Sequence, residues 1–188
     1  MYSEDLEYVQ RILAGESELF ESLVRKYNRM AGAIAFGIVG DFHAAEDIVQ
    51  EAFLKAFRVL NTLRDPDKFK SWLAGIVRSK SLDALRRRPS QKPLEISRDV
   101  ADRFPGGEAL RFSSTAEDEH LREESRRKVL EAIEELPQED RVVVVLKHME
   151  GLSYKEIAEI TGSTIGAIES RLFRARQALR KRLDPSKT

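Results

Sequence analysis

Apolar positions between residues 19 and 34 recur at the spacing of an α-helix. They are Leu19, Leu23, Tyr27, Met30 and Ile34, which lie four, four, three and four residues apart. This spacing puts all of them on one helical face. The pattern is interrupted at Gly40-Asp41 and again at residues 63–67, where Pro66 lacks an amide donor and pushes Asp65 out of the helical region. Residues 6–88 are therefore predicted to form consecutive amphipathic helices, the last of which begins near Phe69.

The periodicity disappears between residues 89 and 115. Proline, glycine and serine recur there every few residues, as at Pro89, Pro93, Pro105, Gly106 and Gly107. So long a stretch without periodicity is unusual inside one compact domain. We therefore expect two domains, residues 1–88 and residues 116–188, joined by a flexible linker at residues 89–115.

The second domain is again predicted to be helical. One helix covers about residues 117–136, and Pro137 opens the next. Residues 142–145 are four valines in a row, which favour a strand by local propensity. We still predict a helix there, because the flanking residues carry no turn signal and a lone strand would have no partner. The expected fold class is all-α.

Residues 151–183 have the plan of a helix-turn-helix. Ser153 and Glu156 can form a capping box at the start of a short helix. Gly162 can take the left-handed conformation of the turn that follows. A last helix then carries one apolar stripe, formed by Ile165, Ile168, Leu172, Ala175, Leu179 and Leu183. Such a unit places the start of its second helix in the major groove of DNA.

The net charge of zero conceals a segregation along the chain. Residues 71–98 and residues 141–188 each carry a net charge of +5, whereas residues 1–70 carry −3 and residues 99–140 carry −7. Two basic blocks thus alternate with two acidic ones. The basic blocks are candidate phosphate-binding surfaces. Solvated helix faces are the alternative interpretation of the same charges.

Composition and motifs exclude several kinds of chemistry. The chain has no Cys and its three His lie far apart, so neither a disulfide framework nor a zinc site is expected. It has no phosphate-binding P-loop and no Ser/His/Asp grouping, so we expect no cofactor, no metal and no enzyme. No apolar run approaches the roughly 20 residues that span a bilayer, and the N-terminus is acidic where a signal peptide is basic. A cytoplasmic protein without membrane insertion is therefore predicted.

Two motif sets resemble one known family. Residues 152–160 (LSYKEIAEI) and residues 166–176 (GAIESRLFRAR) are similar to region four of bacterial RNA polymerase sigma factors of the extracytoplasmic-function (ECF) subfamily. Residues 45–57 (AEDIVQEAFLKAF) resemble region 2.2 of that family. Residues 69–73 and 82–88 resemble its regions 2.3 and 2.4. The matches follow the family's order, are separated by the linker, and leave out a region-three domain.

The resemblance implies how the domains act. Region 2.2 in the family binds the β′ clamp helices of RNA polymerase, which implicates Asp47, Gln50, Glu51 and Phe53. Regions 2.3 and 2.4 recognise and melt the minus-ten promoter element, which implicates Lys68, Lys70, Arg78, Ser79, Arg86 and Arg87. Region four recognises the minus-thirty-five element, which implicates Thr164, Ser170, Arg171 and Arg174. Cations for phosphates and aromatic faces for unstacked bases are the chemistry that such binding needs.

Three positions depart from the family's usual residues. The chain has Ser79 where Asn is common, Glu169 where Lys or Arg is common, and Ala167 where Thr is frequent. A carboxylate at position 169 repels phosphate and can accept a hydrogen bond from cytosine. We therefore expect the same fold with a different promoter preference.

The resemblance also implies partners. These are core RNA polymerase, through its β′ clamp helices and β subunit, promoter DNA, and an anti-sigma factor covering both domains. One alternative is a stand-alone helix-turn-helix regulator that binds operator DNA without polymerase. Another is a helical enzyme in which Asp47 and Glu51, four residues apart on one helix, hold a metal ion.

Overall fold

Among the described residues, positions 4–87 fold into four helices. The computed structural model describes residues 4–87 and 116–183, so the predicted linker, residues 89–115, lies outside the described residues. Helices α1 (Glu4–Leu13), α2 (Phe20–Val39), α3 (Phe42–Arg58) and α4 (Phe69–Arg87) form the first module. Short 3-10 turns occupy Ser17–Leu19, Leu60–Thr62 and Pro66–Lys68.

The described residues 116–183 add four more helices. These are α5 (Ala116–Glu134), α6 (Gln138–His148), α7 (Tyr154–Thr161) and α8 (Ile165–Leu183). The described residues contain no strand, and the all-α fold with two helical modules is confirmed. The valine run lies inside α6. The helix-turn-helix prediction is also confirmed, with α7 and α8 as its two helices.

Local signals start and stop the helices where the sequence predicted. Gly40 ends α2 with a φ of +70°, a conformation that costs glycine little. The Asp41 carboxylate then accepts a hydrogen bond from the Ala44 amide at 2.8 Å and begins α3. At α7 the capping box of Ser153 and Glu156 is complete, and Gly162 ends the helix with a φ of +65°.

Helix α2 is the central element of the first module. It packs against α3 and α4, and Leu23, Ile34 and Phe36 on it are fully buried. Helix α1 is fixed to α2 by Asp5, a buried carboxylate that accepts hydrogen bonds from Tyr27 and from Lys26. The Tyr27 ring continues the core towards Phe69, 5.5 Å away between centroids. The start of α4 is thereby tied to α1 through α2.

Helix α6 is buried on every side. All four valines of residues 142–145 are 8% exposed or less, although four successive residues point around the whole circumference of a helix. Their surroundings explain this, because α2 covers one side of α6 while α5, α7 and α8 cover the others. A helix that is apolar all round is stable when it is enclosed. Enclosure therefore overrides the strand propensity of the valine run.

The two modules pack directly against each other through α2 and α6. Gly37 of α2 lies so close to α6 that a Cβ on it would meet the Cα of Val142 at 2.9 Å. Beside this contact the guanidinium of Arg141 donates to the Gly37 carbonyl at 2.8 Å and to the Ile38 carbonyl at 3.0 Å. The sequence did not predict this contact between the modules.

A bilayer-spanning helix is not found in the described parts of the chain, where each helix is too short or too polar for that role.

We predict that each of the four valines of α6 is sensitive to truncation. Val142→Ala, Val143→Ala, Val144→Ala and Val145→Ala should each lower the free energy of unfolding by about 1–2 kcal/mol, because each deletes buried methyl groups and the better helix propensity of Ala offsets only part of the loss. Urea unfolding measures this. Val129→Ala, at a position of α5 that is 40% exposed, is the matched control. If one of the four variants kept the wild-type free energy of unfolding, that valine would lie on an exposed side of α6, which would contradict burial on every side.

Candidate polymerase and DNA-binding surfaces

The predicted polymerase-binding residues follow one exposed face of α3. Asp47, Gln50 and Glu51 are all exposed, and their spacing of three and four keeps them together. Glu51 also accepts a hydrogen bond from Lys80 of α4 at 2.6 Å. This bond and the positive charge of Lys80 lower the pKa of Glu51. The face is therefore acidic, and Glu51 stays ionised at neutral pH.

The structure corrects one predicted member of this face. Phe53 is only 6% exposed and packs edge-on against Phe20 in the core, with ring centroids 6.4 Å apart. Its neighbours Leu54 and Phe57 are 58% and 44% exposed. They are the apolar side chains that a partner can reach. Phe53 follows the buried Val49 by four residues, so both lie on the inner side of α3.

A cleft of about 1250 Å³ opens beside this acidic face. Asp47, Glu51 and Leu54 line one wall, and Glu134 and Arg141 line the opposite wall, which belongs to the second module. Burial raises the pKa of Glu134 to about 7, and the nearby Glu131 and Asp41 add to this rise while Arg141 opposes it. Glu134 thus titrates near neutrality.

The predicted minus-ten residues lie on and just before α4. Lys68, Arg78, Ser79, Arg86 and Arg87 are exposed. Lys68 and Arg86 are in loose ion pairs with Asp65 at 3.7 Å and Asp83 at 3.4 Å. Pairs this exposed contribute little to stability, so phosphates can replace the carboxylates.

Lys70 differs from the other minus-ten cations. It is half-buried, and its ammonium group lies 2.5 Å from a carboxylate oxygen of Glu156 at the start of α7. This bond is the main cause that lowers the pKa of Glu156 to about 2. Lys70 is therefore engaged by the second module in this arrangement.

The two aromatic residues at the start of α4 have different surroundings. Phe69 is fully buried between the helices of the first module. Trp72 is half-buried and packs against Phe69 with ring centroids 5.9 Å apart. Trp72, Ser79 and Arg86 are spaced by seven residues, two turns of helix, so they share one side of α4. A partly accessible ring and a row of polar groups lie along that side.

The helix-turn-helix presents the start of α8 to solvent. The Thr164 hydroxyl caps this helix by accepting from the Ala167 amide at 3.3 Å. Ser170 is exposed and its hydroxyl donates to the Gly166 carbonyl at 2.9 Å. Gly166, Ser170, Phe173 and Gln177 are exposed opposite the buried Ile168, Leu172 and Ala175. This outer side is the part of the unit that a DNA groove can reach.

The two predicted reading arginines are held by carboxylates of α6. Arg171 donates to Glu139 at 2.6 Å and to the Ser163 hydroxyl at 2.8 Å, and only 18% of its side chain is exposed. Arg174 pairs with the buried Asp140 at 2.8 Å but keeps 57% of its side chain exposed. Arg171 therefore braces the turn against α6, whereas Arg174 has free surface with which to contact DNA.

Comparison with known proteins assigns the family. The Sigma-70 region 2 family model matches residues 23–90, and the Sigma-70, region 4 model matches residues 126–179. The RNA polymerase sigma-H factor of Pseudomonas aeruginosa is 34% identical over 97% of this chain and 95% of its own length. The ECF RNA polymerase sigma-E factor of Escherichia coli is 36% identical over 94% and 93%. The chain belongs to the ECF sigma factors. It directs transcription initiation, and the stand-alone regulator is not favoured.

Solved structures share this fold. The structure of CnrH in complex with the cytosolic domain of CnrY has a TM-score of 0.66 with this sigma factor, at 25% identity, and covers 97% of this chain and 99% of that one. The sigma factor RpoE of Bartonella quintana, solved with the anti-sigma factor NepR, has a TM-score of 0.64 at 23% identity and covers 87% and 96%. The second likeness supports the fold alone.

The metal-binding alternative finds no support in the geometry of the sigma factor. Within residues 4–87 and 116–183 no three His, Asp or Glu side chains are grouped so that they could hold a metal ion. Glu51, one of the two carboxylates that this alternative needs, is paired with Lys80.

Sequence reasoning missed the residues that join the modules. Arg141, Gly37 and Glu156 carry the contact, and none of them was a candidate. Two signals were present, since residues 30–39 are continuously apolar or Gly and residues 142–146 are continuously apolar. Such runs indicate helices covered on all sides.

We predict that Glu134 makes the sigma factor less stable as the pH rises. Between about pH 4.5 and pH 7 this carboxyl group ionises in the unfolded chain while it stays protonated in the folded one. Ionisation therefore stabilises the unfolded state, and the free energy of unfolding falls as the pH rises. After discounting for partial exposure, Glu134→Gln should reduce the fall in unfolding free energy across this range by about 1–2 kcal/mol. Denaturant unfolding at several pH values measures it. Glu159→Gln, at an exposed position of α7, is the control, and parallel curves for both variants and the wild type would contradict the prediction.

Proposed function

We propose that the two modules of this sigma factor divide promoter recognition between them. Residues 1–88 bind core polymerase and open the minus-ten element, residues 116–188 hold the minus-thirty-five duplex, and residues 89–115 span the distance. The observation that carries this proposal is the exposed outer side of α8 in a helix-turn-helix, opposite a buried apolar stripe. The start of such a second helix is the part that enters the major groove.

The polymerase-binding surface is the exposed face of α3. Asp47, Gln50 and Glu51 supply the polar part, and Leu54 supplies an apolar anchor in place of the buried Phe53. Leu54 and the exposed Phe57, three residues further along α3, form an adjoining pair of apolar side chains next to these polar groups, and such patches mark protein interfaces. In line with the family resemblance, its occupant is the pair of β′ clamp helices, and a second contact joins the β subunit.

The minus-ten surface is the exposed side of α4. Lys68, Arg78, Arg86 and Arg87 provide cations for the phosphates of the separated strand, and Ser79 provides a small polar contact. Lys70 joins them once it leaves Glu156. Bases that leave the stack can pack on the accessible part of Trp72, because stacking on aromatic rings binds single strands with little sequence dependence.

The minus-thirty-five surface is the start of α8. Ser170 and Arg174 reach base edges, and the Thr164 hydroxyl stays with the helix cap. Arg171 acts mainly as a brace for the turn, and Glu169 favours cytosine or repels a nearby phosphate. These roles support a promoter preference that differs from that of relatives with a cation at position 169.

The remaining assignments follow from the same role. Nucleotide addition belongs to the polymerase, so the sigma factor itself is not an enzyme and needs no cofactor. It acts in the cytoplasm, where the polymerase transcribes. An anti-sigma factor regulates it by covering both modules, as the family resemblance implies.

Reconstituted transcription tests the proposal. Purified core polymerase, the full-length chain and a genomic DNA library should yield transcripts that start at a shared pair of sequence elements. Core polymerase alone should give no such starts. Failure of the purified chain to associate with core polymerase would remove the proposed function.

We predict that the exposed leucine of α3 anchors the polymerase. Leu54→Ala should weaken binding to core polymerase by at least about 1 kcal/mol, because truncation removes an apolar contact that is desolvated in the complex. Fluorescence anisotropy of the labelled full-length chain measures the dissociation constant. Leu13→Ala, which removes a leucine that is 50% exposed on α1, is the matched control. Equal affinities of both variants for core polymerase would mean that Leu54 is not part of the polymerase-binding surface.

We predict different consequences for the two arginines of α8. Arg174→Ala should weaken recognition of the minus-thirty-five duplex by about 1–3 kcal/mol and relax its specificity. Arg171→Ala should mainly lower the free energy of unfolding, because it deletes the contacts to Glu139 and Ser163. Duplex binding by the holoenzyme and thermal unfolding of the free chain separate the effects. Arg25→Ala, on the exposed surface of α2, is the control. If Arg171→Ala weakened duplex binding and Arg174→Ala lowered only the free energy of unfolding, the two assigned roles would be contradicted.

A further inference from the structure

Two arginines of α8 form ion pairs with neighbouring carboxylates of α6, and the two pairs are built in opposite ways. Arg171 is largely covered, with 18% of its side chain exposed, while its partner Glu139 keeps 69% exposed. Arg174 keeps 57% of its side chain exposed, while that of its partner Asp140 is only 7% exposed. The second pair therefore presents its cation to solvent and buries its anion.

We propose that Asp140 is a positioning residue for promoter recognition. Its buried carboxylate holds the guanidinium of Arg174 in one orientation, so that the outer edge of this group binds the acceptor edge of a guanine in the major groove. Asp140 itself does not contact the DNA. The inference rests on the proposed function, since it concerns the reading of the minus-thirty-five duplex by α8.

The carboxylate of Asp140 binds the guanidinium of Arg174 from the side. Nη2 of Arg174 donates to Oδ1 at 2.8 Å, and Nε donates to Oδ2 at 3.4 Å. A guanidinium carries five N–H donors in a rigid plane. The pair uses one donor of Nε and one of Nη2, which leaves both donors of Nη1 and the second donor of Nη2. Among the described residues no protein group accepts a hydrogen bond from Nη1 of Arg174.

The remaining donors match the major-groove edge of guanine. This edge presents two adjacent acceptors, N7 and O6, which one arginine can bind together. Such a contact depends on the orientation of the guanidinium plane as well as on its distance from the base. Arg174 follows Ser170 by one helical turn, and both are exposed. Asp140 thus fixes a two-donor edge beside another side chain that the groove can reach.

The pair is expected to stay intact when DNA is bound. Within the described residues the carboxylate of Asp140 accepts hydrogen bonds from Arg174 alone, and it is buried. Withdrawal of the arginine would leave this buried charge without a partner, which is strongly unfavourable. Asp140 also lies in the first turn of α6, where the helix dipole favours a carboxylate. The anchor is therefore fixed, and Arg174 contacts the base with its other edge.

General electrostatics and positioning predict opposite effects for the removal of this carboxylate. Asp140 is an anion close to the DNA-binding side, so Asp140→Asn should tighten binding to every duplex if only repulsion of phosphates matters. If Asp140 positions Arg174, the same variant should instead lose discrimination at one base pair, because a free guanidinium no longer presents a fixed edge. The sequence dependence of binding separates the two explanations.

Selection from a randomised promoter pool tests the inference. Holoenzyme reconstituted with the full-length chain selects duplexes whose minus-thirty-five element is randomised, and sequencing gives the base preference at each position. The position at which Arg174→Ala loses a guanine preference is the one that Arg174 reads. Asp140→Asn should lower the guanine preference at that same position by roughly fivefold or more, the lower part of what one bidentate contact contributes. Preferences at the other positions should stay as in the wild type.

A double variant separates positioning from an independent effect of Asp140. Asp140→Asn combined with Arg174→Ala should show the base preferences of Arg174→Ala alone, because the carboxylate acts only through the arginine. Glu159→Gln is the matched control, since it removes one carboxylate charge from an exposed position of the same helix-turn-helix. It should leave the guanine preference as it is in the wild type.

Three results would overturn the positioning role. These are an unchanged guanine preference in a folded Asp140→Asn chain, a further loss of preference when this change is added to Arg174→Ala, and no guanine preference lost in Arg174→Ala itself. Thermal unfolding shows whether each variant is folded. If Asp140→Asn does not fold, Asp140→Ser provides the same test with a smaller neutral side chain. If holoenzyme with the wild-type chain selects no shared upstream element, the proposed function itself fails, and the inference fails with it.

Discussion

The enclosure of helix α6 is the constraint on which the arrangement of the molecule depends. Its four consecutive valines have no outward side, so the helix needs apolar cover all round its circumference. The second module covers part of it with α5, α7 and α8, and α2 of the first module covers the rest. The same helix thus holds the helix-turn-helix together and joins the two modules. A change in the distance between the modules must change what surrounds α6.

The acidic and basic stretches that alternate along the chain are joined by ion pairs in the folded structure. The acidic stretch before residue 141 supplies Glu139 and Asp140, which hold Arg171 and Arg174 of the basic stretch that follows. Glu51 holds Lys80 in the same way within the first module. The Arg174 pair is not of the weak, fully exposed kind, because Asp140 is buried and its charge would be left unpaired if Arg174 moved to a DNA phosphate. Burial separates the roles, since Arg171 is largely covered and Arg174 is not.

Much of the candidate site could be predicted from the sequence, because local rules decide where helices begin and which motif they carry. The capping box at Ser153, the turn at Gly162 and the acidic face of α3 each depend on residues within about one helical turn of each other. The prediction that Phe53 belongs to the exposed face of α3 was wrong. Membership of a motif does not say which side of a helix faces the core, and a single step along α3 separates the buried Phe53 from the exposed Leu54.

The sequence by itself determined the helices, the two modules and the family, because periodicity, caps and motifs are local properties of the chain. Only the tertiary structure decided that Arg141 ends in the carbonyls of α2, that Lys70 meets Glu156, and that Gly37 admits the backbone of α6. Those partners lie between 86 and 105 residues apart. No local propensity links positions so distant, and their pairing follows from the burial of two apolar helices against each other.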